Sequence, residues 1–221
     1  MNFLPAWLSR WLGDRFRSTT PEAQAVRWVV VDTETSGLYP ERDRLLAIGA
    51  VAVDNGMIVP NDSFEIVLKN PPSGDAANIV VHGIGHGAQD AGIPVPDALA
   101  AFDAWRAGAP CVGFHADFDR KALRAAYAGA GVPFDGSRWL DLAPLAAAMM
   151  PDTYRRGSRS LDDWLAAFGI DCANRHNAAS DALATAEVLL RLQALAARQG
   201  ISGFGALIRV AHQQKWLGSA H

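Results

Sequence analysis

The sequence predicts an α/β fold, a sheet of mixed strand direction with helices on both faces. Two observations predict it: β-favouring runs come first in the chain, and strand and helix patterns alternate after them. A third observation concerns the ends of these elements, where acidic residues recur. Ligands of α/β proteins gather at such ends, so the same pattern that predicts the fold also indicates a site.

The first predicted strand covers residues 28–31, where four β-favouring side chains follow one another. A run in which no polar residue alternates with the apolar ones is typical of a central strand that is covered on both faces. We expect the strand to end at Asp32, and Glu34 shares a face with Asp32 if extended geometry persists through Thr33. Adjacent carboxylates are tolerated when a divalent cation binds between them, and Mg²⁺ and Mn²⁺ prefer such oxygen ligands. A solvated acidic turn is the alternative interpretation.

Two more antiparallel strands and two short strands follow this first strand. Residues 45–53 and 57–68 are apolar runs on either side of Asp54, Asn55 and Gly56, which are typical of a hairpin turn. Short apolar runs predict the later strands at 111–114 and 139–142. Helical periodicity predicts helices at 94–107, 117–128, 144–150, 160–168, from the region of Asp181 to about 199, and 204–216.

Composition limits the classes of function. With 221 residues, half of them hydrophobic, the chain fits one domain with some surplus at its ends. The formal net charge of −3 argues against a protein that coats nucleic acid non-specifically. Cys111 and Cys172 lack the spacing of a metal knuckle, so a reducing, cytoplasmic setting is expected. No segment approaches the ~18 apolar residues of a membrane-spanning helix.

The amino-terminal seventeen residues predict an amphipathic helix with a tryptophan-rich face. Charges interrupt the apolar residues and no basic segment precedes them, so the stretch does not resemble a secretory signal. Docking to a membrane or a partner protein is one interpretation, and packing on the same chain or on a second copy is favoured over it. The apolar residues at helical spacing are Phe3, Leu4, Trp7, Leu8, Trp11 and Leu12.

Four acidic residues and one histidine form the candidate site. They are Asp32, Glu34, Asp119, Asp181 and His176. Four carboxylates and a histidine can hold two divalent ions ~3.5–4 Å apart, an arrangement that stabilises the attacking and leaving oxygens of a phosphodiester. Acids near a helix start also stabilise the helix dipole, which is the alternative interpretation for Asp119 and Asp117.

A basic loop follows the helix predicted at 144–150. It carries Arg155, Arg156 and Arg159. These arginines either contact phosphates or form a solvated surface loop, and the second interpretation is slightly favoured.

Three segments, in this order, resemble the motifs of the DnaQ-like (DEDDh) 3′-to-5′ exonuclease family. They are VDTETSGL at 31–38, GFHADFD at 113–119 and HNAASDA at 176–182. The resemblance extends from about residue 27 to 195 and includes 81–84 and 160–163. Jointly the motifs are specific, although each one alone is short.

The resemblance implies a ribonuclease H-like fold and roles for the site residues. Asp32, Glu34 and Asp181 would bind the ion nearest the attacking water, and Asp32 with Asp119 the second ion. His176 would be the general base, because an imidazole can accept a proton near neutral pH. Contacts with the terminal nucleotide are implied for Thr35, Gly37, Leu38, His82 and Phe118.

Two positions depart from the family pattern. Phe114 and His115 stand where the family usually has His-Asn, which bears on substrate contacts and leaves Asp119 in place. Ala47 stands where a glutamate is common. Neither departure removes a catalytic group.

The leading hypothesis is an exonuclease that uses two Mg²⁺ or Mn²⁺ ions to release nucleoside monophosphates from single-stranded or frayed 3′ ends, with DNA favoured over RNA. The alternatives are an exoribonuclease that acts on RNA ends and a noncatalytic interaction module that docks through its amino terminus. The predicted division is 1–20 for the amino-terminal helix and linker, 21–200 for the exonuclease domain and 201–221 for a carboxy-terminal helix packed on that domain.

Overall fold

One mixed sheet is the centre of the fold. The computed structural model describes residues 27–70, 84–157 and 159–218, and within them five strands follow the order β3-β2-β1-β4-β5. β1 pairs antiparallel with β2 and β2 with β3, whereas β1 with β4 and β4 with β5 are parallel. The predicted mixed sheet is therefore confirmed. The strands are β1 Trp28–Thr35, β2 Leu45–Asp54, β3 Met57–Val67, β4 Cys111–Gly113 and β5 Trp139–Asp141.

The predicted end of the first strand at Asp32 was wrong, because β1 continues to Thr35. Its pairing with β2 extends along the whole strand, and the register becomes irregular only between Glu34 and Thr35. Extended geometry thus persists through Thr33. Asp32 and Glu34 consequently project from the same face of the sheet.

The hairpin between β2 and β3 turns where the sequence predicts it. Asn55 and Gly56 have φ angles of +50° and +72°. Left-handed backbone at both central residues is what a two-residue type I′ turn requires, and its twist matches that of the flanking strands.

Eight helices accompany the sheet in the described part of the chain. Six of them correspond to predicted helices, one with a clearly shifted start, whereas the short helices His86–Asp90 and Pro151–Arg155 were not predicted. The helix expected from residue 144 begins at Leu142, since the Asp141 carboxylate accepts a hydrogen bond from the Ala143 N–H group and caps it. A short helix, with Pro151 in its first turn, replaces the start of the predicted basic loop. The helices are α1 His86–Asp90, α2 Val95–Arg106, α3 Asp117–Gly129, α4 Leu142–Met149, α5 Pro151–Arg155, α6 Leu161–Phe168, α7 Ala178–Arg198 and α8 Phe204–Gly218.

Alternate side chains of β1 pack into two separate cores. Val29 and Val31 lie in the core that α2 and α3 cover. Trp28 and Val30 lie in the core on the opposite face, which α4, α6, α7 and α8 cover. Helices therefore cover both faces, as predicted. Asp32 and Glu34 continue the second series, so they project toward the face that α7 covers.

The carboxy-terminal helix α8 packs against α4 and β5, with Leu207 and Ala211 buried in the core. The predicted amino-terminal helix and His82 lie outside the described residues. The division of the chain at residues 20 and 200 stays a prediction. Among the described helices, none has both the length and the apolar character that crossing a membrane demands.

Candidate active site and metal centre

Three carboxylates converge between β1 and α7. Asp32, Glu34 and Asp181 each contribute an oxygen atom that lies within 4.8 Å of the other two. Two of these residues come from the end of β1, and Asp181 comes from the first turn of α7. Carboxylate oxygens are the hard donors that Mg²⁺ and Mn²⁺ prefer, so this cluster fits a divalent ion.

The cluster opens into a cavity of about 520 Å³, the site cavity. Its lining also includes His176, Asp119 and Phe118. Five catalytic candidates from three distant motifs thus face one cavity, and one of the predicted substrate contacts faces it with them. The five candidates are Asp32, Glu34, Asp119, His176 and Asp181.

A glycine in β2 allows α7 to approach the first strand. Gly49 pairs with Asp32 across the β1–β2 ladder. A Cβ atom on Gly49 would lie 2.1 Å from the carbonyl carbon of Ala178, the first residue of α7. The side chain of Asn177 caps this helix by accepting a hydrogen bond from the Ser180 N–H group. The start of α7, and with it Asp181, is therefore held directly over the strand that carries Asp32.

Burial and the neighbouring charges raise the pKa of two of these carboxylates, Asp32 and Glu34. Burial raises the pKa of Asp32 well above its ordinary value, and the charges of Asp119, Asp181 and Glu34 raise it further. Burial also raises the pKa of Glu34 to about 8, with added contributions from Asp181 and Asp119. A divalent cation between these groups would reverse the effect, because it favours their charged forms.

Asp119 lies beside the cluster rather than within it. Its side chain is buried at the first turn of α3, and its Oδ1 atom accepts hydrogen bonds from the Thr33 N–H group at 3.0 Å and the Thr33 hydroxyl at 2.7 Å. Burial raises the pKa of Asp119 to about 7, while the bonds from Thr33 act in the opposite direction. Asp119 is thus anchored to Thr33, the residue of β1 that lies between Asp32 and Glu34.

The neighbouring acid Asp117 has different surroundings. It forms ion pairs with Arg120 and Lys215, and the hydrogen bond from Lys215 is the main cause that lowers its pKa. Of the two acids in the second motif, only Asp119 lines the site cavity among the described residues. Asp117 accordingly behaves as an acid at a helix start, one of the two interpretations that the sequence allowed.

His176 lies in the loop before α7 with a left-handed backbone, φ +63°. Its N–H group donates a hydrogen bond of 3.0 Å to Oδ2 of Asp181. A non-glycine residue with positive φ is held there by its surroundings, and such strain is frequent at functional sites. One carboxylate therefore anchors the loop that carries the histidine.

The predicted substrate contacts are only partly brought together. Phe118 lines the site cavity, whereas Thr35, Gly37 and Leu38 are not among the described residues of its lining. The Thr35 hydroxyl donates a hydrogen bond of 2.6 Å to the Gly37 carbonyl, and Leu38 is 86% exposed. The roles of these residues in binding substrate stay predictions.

Sequence reasoning missed Arg175. Its Nη1 atom forms an ion pair with Oδ1 of Asp181, and its Nε atom donates to Oδ1 of Asp162 in α6. The only signal in the sequence is its position directly before His176, and that position does not indicate either partner. His115 and Arg159 also line the site cavity, and the second of these belongs to the predicted basic loop.

The chain matches known exonucleases over most of its length. The model of the RNase T family, described as "Exonuclease", matches residues 29–189. A DNA polymerase III subunit epsilon-like protein of Rhodobacter capsulatus is 31% identical over 199 residues, which cover 89% of this chain and 28% of that protein. The PolC-type DNA polymerase III of Thermotoga petrophila is 28% identical over 176 residues, which cover 79% of this chain and 12% of that protein. The chain thus spans less than a third of the length of either relative.

Solved structures show the same fold. Escherichia coli exonuclease I in complex with a dT13 oligonucleotide has a TM-score of 0.67 and 17% identity, covering 79% of this chain and 42% of that one. Exonuclease X in complex with 5′ overhanging duplex DNA has a TM-score of 0.64 and 18% identity, covering 83% and 99%. These neighbours confirm the ribonuclease H-like fold. The match of the family model and the relative from Rhodobacter capsulatus show that this chain belongs to the RNase T family of DnaQ-like exonucleases, which are hydrolases.

Proposed function

We propose that this protein is a metal-dependent 3′-to-5′ exonuclease that hydrolyses the terminal phosphodiester of single-stranded or frayed DNA and releases nucleoside monophosphates. The observation that carries the proposal is the cluster of Asp32, Glu34 and Asp181, with Asp119 buried beside it and His176 in the same cavity. Support for DNA comes from the epsilon-like relative and from the oligonucleotide and duplex in the structural neighbours. Both cysteines are free, which fits a reducing cytoplasm.

The four carboxylates would hold two Mg²⁺ or Mn²⁺ ions. Asp32, Glu34 and Asp181 would hold one ion, and Asp32 with Asp119 would hold the second. When bound, such ions stabilise the charge on the attacking and leaving oxygens of the phosphodiester. The role of this chain is to fix four oxygen ligands on three elements, β1, α3 and α7, before substrate enters.

His176 accepts the proton of the attacking water in this proposal. Two contacts of its loop suit the role: its N–H group is bonded to Asp181, and its side chain lines the site cavity. The backbone is fixed by a residue that is itself a proposed ligand. The loop that carries the proton acceptor is therefore held at a fixed position relative to a proposed metal ligand, as positioned acid–base catalysis requires.

A second cavity of about 400 Å³ adjoins the site cavity and shares His115 and Arg159 with it. Its walls combine the half-buried ring of Tyr154 with Lys215, which pairs with Asp117, and the Asp141 side chain lies among them. Aromatic and basic side chains next to each other suit a single strand, because bases stack on the rings and phosphates contact the cations. We therefore place the nucleotides that precede the scissile bond along this wall.

End-labelled strands test both the direction of digestion and the preference for DNA or RNA. DNA and RNA oligonucleotides of one sequence, labelled at either end, are incubated with Mg²⁺. We expect a ladder from 5′-labelled DNA and immediate release of labelled mononucleotide from 3′-labelled DNA. The double variant Asp32→Asn/Glu34→Gln is expected to be inactive. Asp97→Asn, which removes an exposed charge at the start of α2, is the matched control.

Each alternative gives a distinct result. Faster degradation of RNA would support the exoribonuclease. Immediate release of mononucleotide from the 5′-labelled strand would contradict the proposed polarity. Hydrolysis that persists in EDTA, after metal has been stripped from the protein, would contradict the metal centre. Absence of hydrolysis in wild type with normal strand binding would support the interaction module.

A further inference from the structure

Arg175 joins the acidic cluster to a neighbouring helix. Its guanidinium contacts Oδ1 of Asp181 on one side and Oδ1 of Asp162 on the other. The Asp181 side chain is 6% exposed, whereas that of Asp162 is 60% exposed. Arg175 thus connects a buried carboxylate of the metal centre with a solvated carboxylate outside it.

The charge of Arg175 reaches the whole cluster. Burial and the neighbouring carboxylates raise the pKa of Asp32 and of Glu34, and in both cases the charge of Arg175 opposes that rise. The arginine also lines the site cavity with these residues. The Arg175 guanidinium therefore lies close enough to the three clustered carboxylates to offset part of their negative charge.

Both oxygens of Asp181 already have partners within the chain. Oδ2 accepts the His176 N–H group, while Oδ1 is contacted by Arg175 and by the Cys172 thiol at 3.5 Å. A divalent ion that binds Asp181 must therefore share an oxygen with a partner or replace one. A guanidinium cannot lose its charge at any ordinary pH, so Arg175 and a divalent ion at Asp181 would repel each other.

We propose that Arg175 is a built-in counter-ion of the metal centre. It neutralises the cluster before a divalent ion binds, and it keeps only its contact with Asp162 when the ion takes its place at Asp181. Metal binding and the Arg175–Asp181 ion pair are then competitors. This inference rests on the proposed function only in requiring that the cluster binds a divalent cation.

The test measures Mn²⁺ affinity by calorimetry on the full chain without nucleic acid, together with the melting temperature of the metal-free protein. Arg175→Gln should melt at a lower temperature without metal and bind Mn²⁺ about fivefold more tightly or better, because the competing charge is gone. Arg175→Lys, which keeps the charge, should bind Mn²⁺ within about twofold of wild type. Arg191→Gln is the control, since it removes an exposed arginine of α7 that lies ten residues, about 15 Å, beyond Asp181.

Asp162→Asn tests the outer contact without touching a proposed ligand. With its outer partner weakened, Arg175 should hold Asp181 more strongly, and Mn²⁺ binding should weaken by about threefold. If Arg175 only stabilises the fold, Arg175→Gln would lower the melting temperature equally with and without Mn²⁺. The affinity for Mn²⁺ would then be unchanged or weaker. That result would overturn the proposal.

The nuclease assay separates this inference from the proposed function. A wild-type protein that shows the predicted Mn²⁺ competition but no hydrolysis would refute the exonuclease and leave the counter-ion intact. An active enzyme whose Mn²⁺ affinity is unaffected by Arg175→Gln would refute the counter-ion alone.

Discussion

Gly49 of β2 lies against the backbone of Ala178 at the start of α7, so closely that a Cβ atom on the glycine would come within 2.1 Å of the Ala178 carbonyl carbon. The same glycine pairs with Asp32 across the ladder. Because Gly49 has no side chain, the helix that carries Asp181 can approach the sheet closely beside Asp32.

Gly49→Ala should push α7 away from β2 and separate Asp181 from Asp32. Overpacking of this kind costs ~1–3 kcal/mol, and misplacing a catalytic group by about 1 Å can lower turnover ~10²-fold. Melting temperature and single-turnover rate measure the two effects. Gly129→Ala is the control, because a Cβ there meets no atom within 4 Å. Equal activity of both variants would show that the close contact does not position the site.

Asp119 and Asp117 should differ sharply although only one residue separates them. Asp119→Ala removes a buried carboxylate that two hydrogen bonds from Thr33 hold beside the cluster, and turnover should fall roughly 100-fold or more. Asp117→Ala removes only half-exposed ion pairs, which typically contribute ~0–1 kcal/mol, and should keep activity within a few-fold. Steady-state rates at saturating Mg²⁺ make the comparison. The reverse ranking would place the wrong acid of the second motif in the site.

His176→Asn should lower the single-turnover rate by ~10²–10⁴-fold, because positioned acid–base catalysis is lost. Asparagine tolerates the left-handed backbone at this position, so the fold and metal affinity should be retained. His176→Ala should give the same rate with some loss of stability. His212→Ala removes an exposed histidine of α8 as the control. A rate within a few-fold of wild type, with normal melting, would remove His176 from the mechanism.

Divalent metal should stabilise the folded protein as well as activate it. Mn²⁺ at 100 times its dissociation constant contributes ~2.7 kcal/mol, which raises the melting temperature by roughly 5–10 °C for a chain of this size. Asp32→Asn/Glu34→Gln should abolish this rise, since two of the three clustered carboxylates are gone. Calorimetry with Mn²⁺ and with EDTA provides the comparison. An equal rise in the double variant would locate the bound ion elsewhere.

Asp163 should make stability depend on pH in the acid range. Backbone N–H groups of Arg159 and Ser160 donate to its carboxylate and lower its pKa to about 2, below the ordinary value of about 3.9. The charged form stabilises the fold above about pH 4, and this contribution is lost as the pH falls through about 2. Asp163→Ala should therefore melt below wild type at pH 7, and the difference should shrink toward pH 2. A difference in melting temperature between Asp163→Ala and wild type that stays constant from pH 7 to pH 2 would contradict this prediction.

Local patterns in the sequence were sufficient for the five strands and for six of the eight helices in the described residues, whereas α1 and α5 were not predicted. Apolar runs and turn residues such as Asn55 and Gly56 are local signals, and the structure places the strands accordingly. The end of β1 was missed because carboxylates are unfavourable in strands by intrinsic propensity. Pairing with β2 overrides that propensity, and pairing partners are not contained in a local window.

Spacing alone placed Asp32 and Glu34 together, since residues two apart on a strand share a face. Asp181 was assigned from its position at a helix start and from the resemblance to the family. The sequence could not show that Asp119 is fixed by Thr33 or that Arg175 bridges Asp162 and Asp181. Each of those contacts joins segments that meet only after folding. Gly49 was detectable as an interruption in an apolar strand, although its contact on α7 was not.

The two ends of the folded domain supply the cluster: Asp32 and Glu34 come from its first strand, and Asp181 comes from the long helix α7 much later in the chain. A ribosome must therefore synthesise nearly the whole domain before these carboxylates can meet. Until α7 has been synthesised, the chain lacks Asp181, one of the three clustered carboxylates, so the proposed metal centre cannot form.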